Sequence, residues 1–269
     1  MIARNIDCLI ERRLLVSYRI DPERAARLVP WPFRPQVVSG HAIGGVCFIR
    51  MSALRPARLP RATGLTTENA AHRFAVEWDD EHGSHTGVYI PRRDTSSRIT
   101  AALGNSIFPG AYHLASFSVT ESADVIRIGV HSRDRTMTLS VTAASATALD
   151  SSLFASLDEA TDFFRRGAAG FSPSAANSCL DAVHLHSTNW AARPMAIAAM
   201  NSSLFDNAST FPPGTCALDS AMLMANITAR WSTETASTLP TSRPMAQDRD
   251  GHPATPARPG SPRPFGAAR

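Results

Sequence analysis

The sequence predicts a mostly β fold, a β-rich α+β domain with one main helix near residues 157–166. Three observations carry this. Short apolar segments alternate with turn signals along most of the chain, the pattern of half-buried antiparallel strands. A capping signature, Ser156 with Glu159 three residues later, opens the main helical run. Composition changes near Thr233, beyond which the chain has too few large apolar side chains for a core.

The elements follow in order. Leu14, Val16, Tyr18 and Ile20 alternate along the first strand. Asp21-Pro22-Glu23 then caps a short helix, since proline has no N–H to satisfy at the first helical position, and Pro30 ends it. Val37 to Met51 folds back through Ser39-Gly40 as a hairpin. Ala70 to Trp78 and His85 to Ile90 form another, across the polar turn Asp79 to Gly83. Tyr112 to Thr120, Val125 to His131 and Thr136 to Ala143 make a meander. The helix Leu157 to Arg166 follows, with Gly167 and Gly170 as its exit. Strands near Leu180 to Trp190, Met195 to Asn201 and Ala217 to Trp231 complete one domain over residues 1–232. The tail, residues 233–269, holds seven prolines among Ser, Thr, Ala, Gly and Arg. It cannot bury enough surface to offset its ordering entropy and reads as disordered.

Composition excludes several functions. All 27 basic side chains are arginine, and the chain has no lysine. Arginine stays charged and can clamp a carboxylate or phosphate, but it forms no imine and serves as no base. The net charge of +4 is scattered in doublets such as Arg12-Arg13, Arg92-Arg93 and Arg165-Arg166, so no nucleic-acid partner is expected. No apolar run is long enough to span a membrane. Cys8, Cys47, Cys179 and Cys216 are widely spaced, as in a reduced cytoplasmic protein, and no signal-type segment precedes them. The chain has no G-x-S-x-G elbow, no Walker loop and no G-x-G-x-x-G after a strand, which removes the obvious hydrolase, NTPase and dinucleotide-binding readings.

The densest polar run is Tyr89 to Arg98, with Arg92, Arg93, Asp94, Thr95, Ser96, Ser97 and Arg98 between a strand and a short helical segment, Ile99 to Leu103, stopped by Gly104. Arg92, Arg93 and Arg98, with Asp94 and Ser96, form a candidate anion clamp, since guanidinium forks and hydroxyls converge on carboxylates. The same residues also suit structure: Asp94 can pair with an arginine, and Thr95 or Ser96 can cap the helix. In Glu68 to Trp78, an extended chain puts Glu68 and His72 on one face with Phe74, Val76 and Trp78, and Arg73 and Glu77 on the other. Glu68, His72 and Glu77 are the candidate acid–base residues, with Arg73 a further ligand-binding candidate; a satisfied polar cluster at a barrel rim is the competing reading. His113 is a lone histidine on a strand, compatible with either role. His184 and His186 share a strand face but have no third ligand by spacing, so no metal is expected.

The stretches RRLLVSYRIDPERAARLVPWPFRP, GLTTENAAHRFAVEW, GVYIPRRDTSSR, FPG, SLDEATDFFRRG and FPPGTCALDSAMLMANI together resemble the YqjF-like family of unknown function, over about Glu11 to Trp231. That family is similar in fold to acetoacetate decarboxylase. The resemblance implies curved antiparallel sheets forming a cone-like barrel around a central pocket. The decarboxylase acts through an imine on a lysine, in a region loosely matching Arg92 to Arg98, so the chemistry does not carry over to a lysine-free chain. The expectation is a small-molecule binder holding a carboxylate through an arginine cluster, without cofactor. The alternative is a non-imine decarboxylase, hydratase or isomerase using Glu and His. A homo-oligomer is compatible with the sequence.

Overall fold

The computed structural model describes residues 5–107, 110–173, 179–187, 189–233 and 239–240, and for 103–107, 179, 239 and 240 the backbone alone. The first strand, β1 (Asn5–Ile20), leads into helix α1 (Pro22–Ala26). Asp21 caps that helix, its carboxylate accepting from Arg24 N at 3.0 Å. The helix stops at Ala26, before Pro30 is reached. Two short strands, β2 (Arg34–Pro35) and β3 (Val37–Val38), precede β4 (His41–Pro56), and β3 and β4 make the hairpin expected at Ser39-Gly40. The next hairpin is longer than its apolar pattern suggested, pairing β5 (Leu65–Asp80) with β6 (Gly83–Thr95).

Strand β6 therefore runs through Arg92, Arg93 and Asp94, which the sequence reading placed in a connection. Only Ser96 and Ser97 separate it from helix α2 (Arg98–Ile107). Ser97, not Thr95 or Ser96, caps α2: its hydroxyl accepts from Thr100 N at 3.1 Å. The helix also continues through Gly104, because glycine weakens a helix by about 1 kcal/mol without ending it.

The meander is as read: β7 (Tyr112–Glu121), β8 (Val125–Ser132) and β9 (Thr138–Ser145). Helix α3 (Leu157–Arg166) has Ser156 Oγ accepting from Glu159 N, while Glu159 reaches back to Ala155 N. After it comes β10 (Ala169–Pro173), a strand where the sequence suggested only a helix exit. Then follow β11 (Cys179–Ser187), β12 (Arg193–Ser202) and β13 (Cys216–Ser232). Leu239 and Pro240 form β14 against β11, so this piece of the tail joins the sheet. The rest of the tail beyond Thr233 lies outside the described residues.

One large curved sheet closes on itself twice. A nine-stranded ring runs β1, β4, β5, β6, β7, β8, β9, β12, β13 and back to β1. A second ring leaves it at β6, passes through β10 and β11, and returns at β13. Pairing is antiparallel except where β6 meets β7 and β10. Strands β13, β1, β4, β5 and β6 thus form a wall shared by both rings, with apolar side chains on both faces. Leu14, Val16, Phe48, Phe74 and Leu223 belong to the core inside the nine-stranded ring. Leu15, Cys47, Ile49, Ala75 and Met222 face the opposite way, toward the smaller ring and α3.

The shared wall is tightly spaced at Gly45, where an added Cβ would collide with the carbonyl oxygen of Val16 on the neighbouring strand. Backbone cannot yield as a flexible side chain can. Gly45→Ala should therefore lower the free energy of urea unfolding by about 1–3 kcal/mol; an unchanged unfolding midpoint would show that the two strands are free to separate.

Candidate functional site

The smaller ring encloses a mostly apolar cavity of about 110 Å³. Cys47, Ile49 and Leu54 from β4, Val88 and Ile90 from β6, and Val183 and Leu185 from β11 supply its walls. Into this lining project three arginines: Arg13 from β1, Arg73 from β5 and Arg93 from β6. Asn69, Thr100 and Tyr112 add polar groups.

Strand alternation explains how they arrive there. On β5, Asn69, Ala71 and Arg73 face the cavity, while Ala70, Phe74 and Val76 face the larger core. On β6 the alternation is interrupted. His72 pairs with Arg92, but Phe74 pairs with Tyr89, so one extra residue is accommodated near Ile90-Pro91. That bulge lets Val88, Ile90 and Arg93 share one side. Proline is tolerated at such a position because it has no ladder N–H to contribute.

Each arginine lies over an aromatic ring: Arg13 over Trp190 at 5.1 Å, Arg73 over Phe164 at 5.0 Å and Arg93 over Tyr112 at 5.7 Å. These contacts orient the guanidinium groups without neutralising them. Among the described residues, neither Arg13 nor Arg73 makes an ion pair, and Arg93 Nε donates only to the Ser172 hydroxyl, at 3.0 Å. Among the described residues, buried nitrogens of all three, Arg13 Nε, Arg73 Nη2 and Arg93 Nη2, have no hydrogen-bond partner. Burial pushes the Arg73 pKa down to about 10; neighbouring Cys47 acts against that shift and Arg13 adds to it. Arg73 remains charged at neutral pH, and a buried cation without a counter-ion costs several kcal/mol.

The other candidates lie elsewhere. Glu68 is held by Arg12, with Arg50 at 3.5 Å, at one end of the wall. Burial raises its pKa more than the two arginines lower it. Ser96 exchanges two hydrogen bonds with the Glu68 backbone, its N donating to Glu68 O and its hydroxyl accepting from Glu68 N. Arg92 is on the far face of β6. It donates to both oxygens of Asp94, each at 2.9 Å, and to Asp134 at 3.0 Å. Asp94 borders the cavity, yet its side chain is fully buried and tied to Arg92. His113 Nδ1 is bonded to Asp134 at 3.0 Å, completing this network. Burial would raise the Asp134 pKa, but bonds from Ser132, Thr136 and Arg92 hold it far below the carboxylate range. Glu77 pairs with Arg34 on the exposed side of β5, and Arg98 is exposed at the start of α2.

His72 points into the larger ring, toward a separate cavity of about 330 Å³ with Phe74, Met137 and Leu204. Three adjacent pairs are therefore divided by the wall. Arg13, Arg73 and Arg93 face the small cavity, while Arg12, His72 and Arg92 face the other way. Arg73 and Arg93 were legible as candidates, but Arg13 and Asn69 were missed. The signal for Arg13 was a charged doublet inside an apolar strand, between Leu9-Ile10 and Leu14-Leu15. His184 and His186 have rings 4.7 Å apart in an outer cleft of about 900 Å³, and His186 bonds to Ser232. No group of three or more potential metal ligands gathers among the described residues. None of the described helices is long and apolar enough to cross a membrane. Cys8, Cys47 and Cys216 are free thiols.

His72 is 2% exposed, and its pKa is lowered to about 4, by burial first and by Arg92 second. An unfolded histidine takes up its proton near pH 6.5, so below that value the unfolded chain binds more protons than the fold. Stability should fall as pH drops from about 6.5 toward 4. His72→Leu should remove about 2 kcal/mol of the stability difference between pH 7 and pH 4.5 in paired urea titrations. An identical pH dependence in both proteins would show that His72 protonates in the fold at its ordinary pKa.

Comparison with known proteins places the fold. An acetoacetate decarboxylase-like enzyme from Sphingomonas wittichii RW1 superposes with a TM-score of 0.58 at 15% identity, covering 90% of this chain and 95% of that one. Acetoacetate decarboxylase from Legionella pneumophila gives 0.55 at 11% identity, covering 86% and 85%. The enduracididine biosynthesis enzyme MppR, with HEPES buffer bound, gives 0.53 at 9% identity, covering 89% and 88%. At these identities the likeness is one of fold: the chain has the acetoacetate decarboxylase-like architecture expected from the sequence. No curated protein matches the chain. The sequence profile of one family matches residues 10–223, most of the described domain, and the chain belongs to that family, DUF2071, of uncharacterized conserved proteins.

Proposed function

We propose that this protein binds a small carboxylate-bearing molecule in the cavity of the smaller ring, held by Arg13, Arg73 and Arg93. One observation carries the reading: three guanidinium groups, each with a buried nitrogen that has no hydrogen-bond partner, face one small, mostly apolar chamber without a carboxylate partner among the described residues. Buried charges are ordinarily paired. Elsewhere in this chain they are, as in Arg12 with Glu68 and Arg92 with Asp94. An anionic ligand would supply the missing counter-charge in a low-dielectric setting, where charge-assisted hydrogen bonds are strongest.

The binding reading is favoured over Glu/His acid–base catalysis, because Glu68, His72 and Glu77 do not line this cavity. Glu68 is tied to Arg12, His72 faces the other ring, and Glu77 is paired outside. The absence of lysine removes a side-chain imine from consideration. What the arginines offer is recognition: planar, permanently charged forks that match a carboxylate.

The test exploits the cost of an unpaired buried charge. Arg73→Met keeps the stem's volume and removes the cation, so the unliganded variant should melt no lower than the parent protein. Small carboxylates such as acetate and pyruvate, at constant ionic strength, should raise the melting temperature of the parent protein. They should raise that of Arg73→Met far less. Equal shifts in both proteins would place the anion elsewhere, and a variant that melts several degrees lower would mean Arg73 has a partner within the fold.

A further inference from the structure

The cavity's charge and hydrogen-bonding pattern narrow the ligand further, on the reading that this cavity takes an anion. Three guanidinium groups share about 110 Å³, and the one carboxylate at its border among the described residues, Asp94, is bonded to Arg92 on the far face of β6, which it shares with Asp134. A monoanion would leave two cations unmatched in a small, mostly apolar chamber. Two negative charges on one small molecule match the arginines better, and the arginines' separate origins on β1, β5 and β6 suit two anionic groups approached from different sides.

A second group sets the polarity of the remaining contact. Asn69 is buried on β5, and its amide nitrogen donates to the Thr67 hydroxyl at 2.8 Å and lies near two backbone carbonyls, Thr67 O at 3.3 Å and Ile49 O at 3.4 Å. Two of these three neighbours are backbone carbonyls, which only accept, and they assign this end of the amide to nitrogen. The amide oxygen is left buried and without a partner among the described residues, in a side chain that lines the same cavity as the arginines. A bare acceptor in an anion-binding chamber requires a donor, and an anion's own oxygens cannot supply one. The Thr100 hydroxyl, also buried and unpartnered, can serve as donor or acceptor and so adapts to either.

We propose that the ligand is a small dianion that also carries an O–H donor, the chemistry shared by hydrogen phosphate and a short hydroxydicarboxylate. Its charges lie among Arg13, Arg73 and Arg93, and its hydroxyl donates to Asn69 Oδ1. The two sources differ in shape, so experiment separates them.

The test is calorimetric titration of the full chain near pH 8 and at constant ionic strength, with two matched pairs and one monoanion. Hydrogen phosphate is set against sulfate, a dianion without a hydroxyl. Tartronate, which is hydroxymalonate, is set against malonate. Acetate is the monoanion. At least one hydroxyl-bearing dianion should bind ten times more tightly than its partner and than acetate. Preference within the phosphate pair identifies a phosphoryl ligand, and preference within the malonate pair a hydroxydicarboxylate. In Asn69→Leu the preferred pair should bind within about twofold of each other; if that variant does not fold, the ratios in the parent protein still decide. Acetate binding as tightly as the dianions would overturn the dianion assignment and leave the carboxylate reading standing. Equal binding within both pairs would remove the donor. No binding by any of the five anions would sink both proposals.

Discussion

The organising constraint is that five strands, β13, β1, β4, β5 and β6, serve as the wall of two closed rings at once. Neither face of such a wall meets bulk water, so both must be apolar for most of their length. This is why burial is unbroken from Arg12 to Tyr18 and from Ala42 to Ile49 instead of alternating. A charged residue in one of these strands has no solvated side to occupy. It must be paired, stand at an end of the wall, or face a chamber.

Pairing and facing a chamber both occur, and they segregate by face. On the side of the nine-stranded ring, Arg12 is matched by Glu68 and Glu121, and Arg92 by Asp94 and Asp134. On the other side Arg13, Arg73 and Arg93 rest on aromatic rings and make no ion pair among the described residues. The aromatic contacts hold each fork in place while its N–H groups remain available. Buried, positioned and uncompensated cations are costly to a fold, and the proposed ligand is what would offset that cost.

The lysine-free composition sharpens the relation to the decarboxylase fold. The architecture is shared with enzymes such as the Legionella pneumophila acetoacetate decarboxylase, while this chain has no side-chain amine to form an imine. Amine and guanidinium differ in kind: one can become neutral and attack a carbonyl, whereas the other stays cationic and binds through a rigid donor array. The same barrel can therefore enclose a reacting group or a recognition site, depending on which cation its wall presents.

Composition and local pattern were enough to predict the β-rich class, the meander and the capped helix at 157–166. Each depends on alternation, on a cap, or on residue type, and those are properties of neighbours in the chain. The same alternation correctly separated His72 from Arg73. Arg92 and Arg93, read as one clamp in a connection, are divided because the strand continues through them, and the extra residue at Ile90-Pro91 sets which of the two faces the cavity. A one-residue shift exchanges the faces of every side chain beyond it. Arg13 and Asn69 entered the site through pairings distant in sequence: β1 is flanked by β4 and β13, and β5 by β4 and β6. The sequence determined which side chains were available to grip an anion. The tertiary structure decided which of them meet, because facing a chamber depends on register and ring closure, and neither is written in any local stretch of the chain.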